Sequence, residues 1–166
     1  YILSSIVDET QDFTLSWRSR VIEEEFVRTF QNHLGFGIGV SSSSQRFVLG
    51  FGTETIGIGD NQQTLRGSFD NTVFHDYRIE GSFSSGNAQF FIDDVLTANL
   101  SLLNGTAYPN GLLLGDGTKT MNATAEITSY NFRQGMMIES TPESSSILGL
   151  LGLGMLGIGT VLKRKF

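Results

Sequence analysis

Phe74-His75-Asp76-Tyr77-Arg78-Ile79-Glu80-Gly81 and Asn87-Ala88-Gln89-Phe90-Phe91-Ile92-Asp93-Asp94-Val95-Leu96 are the two stretches that decide how this chain folds. In the first, His75, Tyr77 and Ile79 recur with a period of two, which places them on one face of a strand. In the second, Phe90 and Ile92 supply a matching face. A turn rich in Ser, Gly and Asn, Ser84-Ser85-Gly86-Asn87, separates the stretches. Asp93-Asp94 occupies the position of a tight hairpin turn, where Asp tolerates the left-handed backbone better than most residues. The two stretches are therefore expected to pair, with His75, Tyr77 and Ile79 packed inward against Phe90 and Ile92.

The same alternation runs through most of the chain. Phe13, Leu15, Trp17 and Val21 fall on one strand face, with Thr14, Ser16, Arg18 and Arg20 on the other. Phe36, Ile38 and Val40 alternate with Gly35, Gly37 and Gly39, giving a strand with one filled and one bare face. After a turn at Ser41–Ser44, Phe47, Leu49 and Phe51 resume the pattern, followed by Ile56 and Ile58 and by strands around 65–69, 111–114 and 123–132. Only Val21–Leu34 is ambiguous: Glu23-Glu24-Glu25 before Phe26-Val27 fits a short helix or a loop crossing a sheet edge. Eight to ten short strands at close spacing imply an antiparallel sandwich or barrel. Thirteen Phe supply much of its core, each worth about 1.5–3 kcal/mol when fully buried.

Composition narrows the function. The chain has 166 residues and a net charge of −6, from 11 basic and 17 acidic side chains. Three of the cations are the terminal Lys163, Arg164 and Lys165, so the body is more acidic still, with Lys119 its single lysine. Nucleic acid is excluded as a partner, because phosphates require a basic footprint. With no cysteine there is no disulfide framework, thiolate zinc site or cysteine nucleophile.

The two opening stretches resemble the paired central strands of concanavalin A-like jelly rolls, the laminin-G-like group. That group shows an aromatic-His-x-Tyr-Arg strand, a short turn and an aromatic-Val-Asp-Gly hairpin; Asp94 stands here where Gly is usual. Leu114-Gly115-Asp116-Gly117 to Ile127 resembles the closing strands of such domains. The resemblance covers about residues 5–133 and implies an all-β, antiparallel jelly-roll β-sandwich over residues 1–135.

Beyond a polar linker at 136–146, an uncharged apolar run from Ile147 to Leu162 ends in Lys163-Arg164-Lys165. As a helix its sixteen residues span about 24 Å, against about 30 Å for a hydrocarbon core. Snorkelling cations and a thin bilayer accommodate the difference. Basic residues beside an apolar segment stay on the cytoplasmic side, so residues 147–166 are expected to form a C-terminal transmembrane helix that holds the body outside. Pro142-Glu143, the apolar segment and the basic end together resemble the PEP-CTERM sorting signal of Gram-negative bacteria and cyanobacteria, with Ser144 in place of the usual second Pro. The resemblance implies recognition by an exosortase and residence at the outer envelope, anchored or released after processing. Tyr1 is not an initiator Met and no secretory signal precedes the domain, so an upstream signal in a longer precursor is expected.

Candidate chemistry is sparse. Glu23 and Glu25 lie two apart, so on a strand both carboxylates point the same way, and glucanases of this fold carry an acid pair on one strand. Retaining hydrolysis needs two carboxyls about 5 Å apart. The intervening Asp and flanking alternation of that motif are missing, which favours a solvated acidic loop. His33 and His75 have no partner at ligand spacing. Asp60, Asp93, Asp94 and Asp116, with Asn61, Asp70 and Asn71, lie at turns and could offer oxygens to calcium, although turn chemistry alone accounts for them. Asn99-Leu100-Ser101, Asn104-Gly105-Thr106 and Asn122-Ala123-Thr124 match the glycosylation tripeptide, a coincidence in a bacterial chain.

These readings add up to an exported, envelope-held, non-catalytic module that contacts extracellular polysaccharide or surface proteins through polar groups and exposed aromatics such as Tyr108 or Phe91. The alternatives are a diverged glycoside hydrolase or lyase using Glu23 and Glu25, and a purely structural matrix protein.

Overall fold

The computed structural model describes residues 2–3, 7–26, 35–43, 45–58, 63–66, 69–101, 103–104, 110–115 and 121–135. Twelve strands run through them: β1 (Ile2–Leu3), β2 (Asp12–Phe26), β3 (Phe36–Ser41), β4 (Gln45–Phe51), β5 (Thr55–Ile58), β6 (Gln63–Arg66), β7 (His75–Ser82), β8 (Asn87–Ile92), β9 (Val95–Ser101), β10 (Leu103–Asn104), β11 (Gly111–Gly115) and β12 (Met121–Gln134). A seven-stranded sheet has the order β1-β11-β3-β4-β5-β6, with β10 paired to β4, and a five-stranded sheet has the order β12-β2-β7-β8-β9. Every pairing is antiparallel.

The inward faces of the two sheets meet in one core. Leu15, Trp17, Tyr77, Ile79 and Phe90 come from the five-stranded sheet, and Ile38, Leu49, Phe51 and Ile56 from the other, each no more than 2% exposed. Trp17 stacks on Tyr77 at 5.3 Å within its own sheet and meets Phe51 edge-on at 5.9 Å across the interface. Phe13 also meets Phe47 across the interface, at 5.5 Å with the rings tilted by 50°. The protein is an all-β, antiparallel two-sheet sandwich.

β7 and β8 pair as their alternation requires, Tyr77 opposite Ile92 and Ile79 opposite Phe90. The stretch from Val21 differs from the helix or loop reading: β2 runs on to Phe26, so the Glu run is strand. Pairing decides this against the low strand propensity of Glu, because β12 pairs with β2 along its length, from Gln134 opposite Phe13 to Met121 opposite Phe26, with two register shifts. A register shift between Thr124 and Ala125 absorbs the break in alternation there and leaves Ile22 exposed. β9 has no clean alternation either, for the same kind of reason: the register with β8 shifts between Phe90 and Phe91.

The bare face of β3 lies outward. Gly115, Gly37, Gly50 and Gly57 stand opposite one another across β11, β3, β4 and β5. Beside them, a Cβ on Gly39 would come 2.3 Å from the Phe47 carbonyl oxygen, so the strands are too close there for any other residue.

The chain divides into two compact units, Tyr1–Met136 and Met137–Phe166. The sandwich lies in the first. The apolar segment 147–162, its expected transmembrane helix, and Pro142, Glu143, Lys163, Arg164 and Lys165 lie outside the described residues. Among the described residues no helix is long and apolar enough to cross a membrane.

Candidate functional site

At the β8–β9 turn, Asp93 and Asp94 both take the left-handed backbone, with φ of 49° and 64°. Two consecutive positive φ values are what a two-residue hairpin turn of the right twist requires. The turn then aims its side chains back at β7. Asp93 Oδ2 lies 2.6 Å from His75 Nδ1, and Asp93 Oδ1 accepts the Asp76 N–H at 2.9 Å. The other ring nitrogen, His75 Nε2, lies 3.1 Å from the Asp70 carbonyl oxygen. Both ring nitrogens therefore face oxygen atoms of neighbouring residues. Burial works to raise the Asp93 carboxyl, but the hydrogen bonds from His75 and the Asp76 N–H, with the charges of His75 and Arg18, hold it below its usual 3.8. Asp70 is likewise held low, by the hydroxyl and N–H of Thr72.

The outer face of the five-stranded sheet continues from this turn. Register places Arg78 beside Ser16 on β2 and Phe91 on β8. The Arg78 guanidinium sits 4.3 Å from the centre of the Phe91 ring. Its carboxylate neighbours are loosely placed: the buried Nε faces Glu80 at 3.3 Å and Nη2 faces Asp94 at 3.4 Å. The neighbouring cations are held more closely. Arg18 donates to Asp76 at 2.6 Å, and Arg20 donates to Glu126 through two nitrogens at 2.8 and 3.0 Å. Both also flank the Phe74 ring, at 5.6 and 4.8 Å. Ser16, Trp17, Asp76, Tyr77, Arg78, Asp94 and Ser129 line a depression in this face.

The residues nominated by sequence fall in several places. Glu23 is exposed and accepts the Thr124 hydroxyl at 3.1 Å. Glu25 is two places along β2, opposite Asn122, and its side chain lies outside the described residues. Asp93 and Asp94 are occupied by His75 and Arg78, as above. Asp60, Asp116, His33 and Tyr108 lie outside the described residues. Among the described residues no group of three His, Cys, Asp or Glu side chains is placed to hold a metal ion. Phe91 is half-buried under Arg78 and not an open stacking platform, because β7 and β8 bring the guanidinium directly beside its ring.

Two structural residues were not legible as such. Asn71 is 1% exposed. It donates to the carbonyls of Gly52 and Thr55 at 2.8 and 3.1 Å and accepts the Tyr77 hydroxyl at 3.2 Å. Its backbone bonds Thr53 and Val21, so one residue ties the β4–β5 connection to the other sheet. Glu24, between the two nominated glutamates, accepts the Thr53 N–H and hydroxyl at 3.1 and 3.2 Å. A Cβ on Gly52 would sit 2.3 Å from its Oε2.

No family model matches the chain, and no curated protein matches it. Among solved structures it is similar to sheep galectin-11 in a complex with glycerol, at 10% identity and a TM-score of 0.47, over 80% of this chain and 96% of that one.

Proposed function

We propose that this chain is a non-catalytic recognition module of a bacterial cell envelope, a concanavalin A-like jelly roll that contacts neutral extracellular polysaccharide through the outer face of its five-stranded sheet. The observation that carries the reading is Arg78. Its guanidinium lies over Phe91 at the rim of a depression bearing serine hydroxyls and carboxylates. A pyranose offers hydroxyl pairs to such donors and acceptors. Because the surrounding arginines are paired with carboxylates, a hydroxyl-rich, uncharged polymer fits better than a charged one. Binding follows from a glycan array probed with the full chain, with and without chelator. Retention on neutral glycans, weakened by Arg78→Ala, supports the reading, and a chelator effect would add calcium to it.

Absence of catalysis is supported by His75, whose two ring nitrogens face Asp93 and the Asp70 carbonyl, and by Glu23, which stands exposed and bonded to Thr124. The expected outcome on β-glucans is no hydrolysis. Hydrolysis lost in the Glu23→Gln, Glu25→Gln double variant would instead establish a glycosidase.

Export and anchoring rest on the tail. Pro142, Glu143, the apolar run and Lys163-Arg164-Lys165 support an exosortase-type processing partner and a C-terminal membrane helix. Cells expressing the chain with and without residues 147–166 are expected to differ in envelope retention; identical partitioning would remove the localisation claim.

A further inference from the structure

Strand β9 changes face part-way along. Leu100 lies opposite Ala88 and Ala98 opposite Phe90, and these residues form or pack on the core. Strict alternation would turn Leu96 inward as well. Instead the register shifts between Phe90 and Phe91, which leaves Thr97 as an extra residue and sets Leu96 opposite Phe91. The Thr97 hydroxyl donates to the Val95 carbonyl at 3.0 Å at this irregularity. Phe91 is on the outer face beneath Arg78, so Leu96 stands on that face too, 48% exposed. Bulges re-aim a side chain and are over-represented next to active sites. This one takes a leucine that alternation would bury and sets it on the surface beside Arg78.

Leu96 completes a graded row. Asn131, Ser16, Arg78, Phe91 and Leu96 stand opposite one another across β12, β2, β7, β8 and β9, with amide and hydroxyl at one end, a guanidinium in the middle and an aliphatic side chain at the other end. Because the Arg78 guanidinium reaches over the Phe91 ring at 4.3 Å, its donors stand above β8, one strand spacing of about 4.8 Å from β9. One sugar residue spans that distance. We infer that Leu96 is a specificity-determining residue of this face, and that the neutral polysaccharide it selects carries O-acetyl groups. Leu96 acts within the glycan-binding face proposed above, and its role stands only if that face binds glycan. Arg is a donor only, so the group beside it must offer an acceptor, while Leu96 offers only apolar contact. A bare hexose brings hydroxyls over Leu96, where they lose water and gain no partner. An acetyl ester carries both complements in one small group, a carbonyl oxygen for the guanidinium and a methyl for the leucine. Glu80 and Asp94, at 3.3 and 3.4 Å from Arg78, set like charge against a uronate or a pyruvate substituent, and an ester is uncharged.

Retention of the full chain on glucomannan tests this, with the polymer immobilised in two forms, deacetylated by mild alkali and partially acetylated with acetic anhydride. The expected result is tighter retention on the acetylated form by at least about fourfold, the worth of burying one methyl group. Leu96→Ser should bring the ratio of the two forms close to one and Leu96→Met should keep it, with Trp17 emission unchanged in both. Val95→Ser should keep the ratio as well, because Val95 is 67% exposed but lies opposite the inward-facing Ile92. Equal retention of both forms by the parent chain would overturn the role of Leu96 while leaving the face a glycan site. So would a preference that survives Leu96→Ser or is lost equally in Val95→Ser. No retention on either form would remove the glycan reading of the face, and the role of Leu96 with it.

Discussion

The imidazole of His75 and the carboxylate of Asp93 lie 2.6 Å apart, and through them the β8–β9 turn is tied to the loop that precedes β7. Asp93 is held below 3.8 in the folded protein, so its contribution to stability is complete above 3.8 and is lost as pH falls through the lower folded value. Stability measured by urea titration should decline on acidification below about pH 4, where carboxylates begin to protonate. Asp93→Asn should flatten that decline. An identical acid limb in the variant would mean that the pair contributes nothing.

Asp94 stands where the turn asks for glycine, at φ 64°. Asp94→Gly removes the left-handed strain at the cost of an exposed contact to Arg78 at 3.4 Å, and exposed ion pairs contribute little. The exchange should stabilise the protein by about 0.5–1 kcal/mol. Calorimetry should record a rise in Tm of about 1–4 °C, whereas Asp94→Val should lower it.

Asn71→Ala should be among the most damaging single changes. It strips a partner from the Gly52 carbonyl and from the Tyr77 hydroxyl, buried groups that each cost about 1–3 kcal/mol when left unpaired, and removes the second donor to the Thr55 carbonyl, which keeps the Gly52 N–H. Loss of at least about 3 kcal/mol by denaturant unfolding is expected, with Asn71→Asp no better because its side chain lacks the amide donors.

Two phenols should resist ionisation. Burial pushes the Tyr130 hydroxyl up to about 12. Burial, with the Asp93 charge added, pushes Tyr77 higher still. A group raised on folding stabilises below its unfolded value, here 10.0 for both, and that stability is lost as pH rises above it. Phenolate absorbance should therefore develop in two stages, the second coinciding with unfolding. A single transition near pH 10 would contradict the burial of both rings.

What the sequence made legible is what repeats locally. The pairing of Tyr77 with Ile92 and Ile79 with Phe90, the Asp93-Asp94 turn and the bare glycine face all follow from period-two alternation and turn chemistry. Partners distant in sequence were not legible. Glu24 reaches Thr53 across 29 residues, and nothing in Glu23-Glu24-Glu25 marks the middle residue as the one turned inward. Asn71 reads as an ordinary turn residue because its five partners lie on other elements. The Arg78–Phe91 contact depends on cross-strand register, and β9 is hidden by the shift that breaks its alternation. Neither the helix nor the loop reading of the Glu run held, because pairing with β12 outweighed local propensity.

The direct measurement is glycan retention by the full chain beside Arg78→Ala and Asp76→Asn, with Trp17 emission as the check on folding. Retention on a neutral polysaccharide, reduced at least tenfold in both folded variants, is the predicted result. No retention on any glycan, or retention untouched by loss of the Arg78 guanidinium, would contradict the assignment of this sheet face.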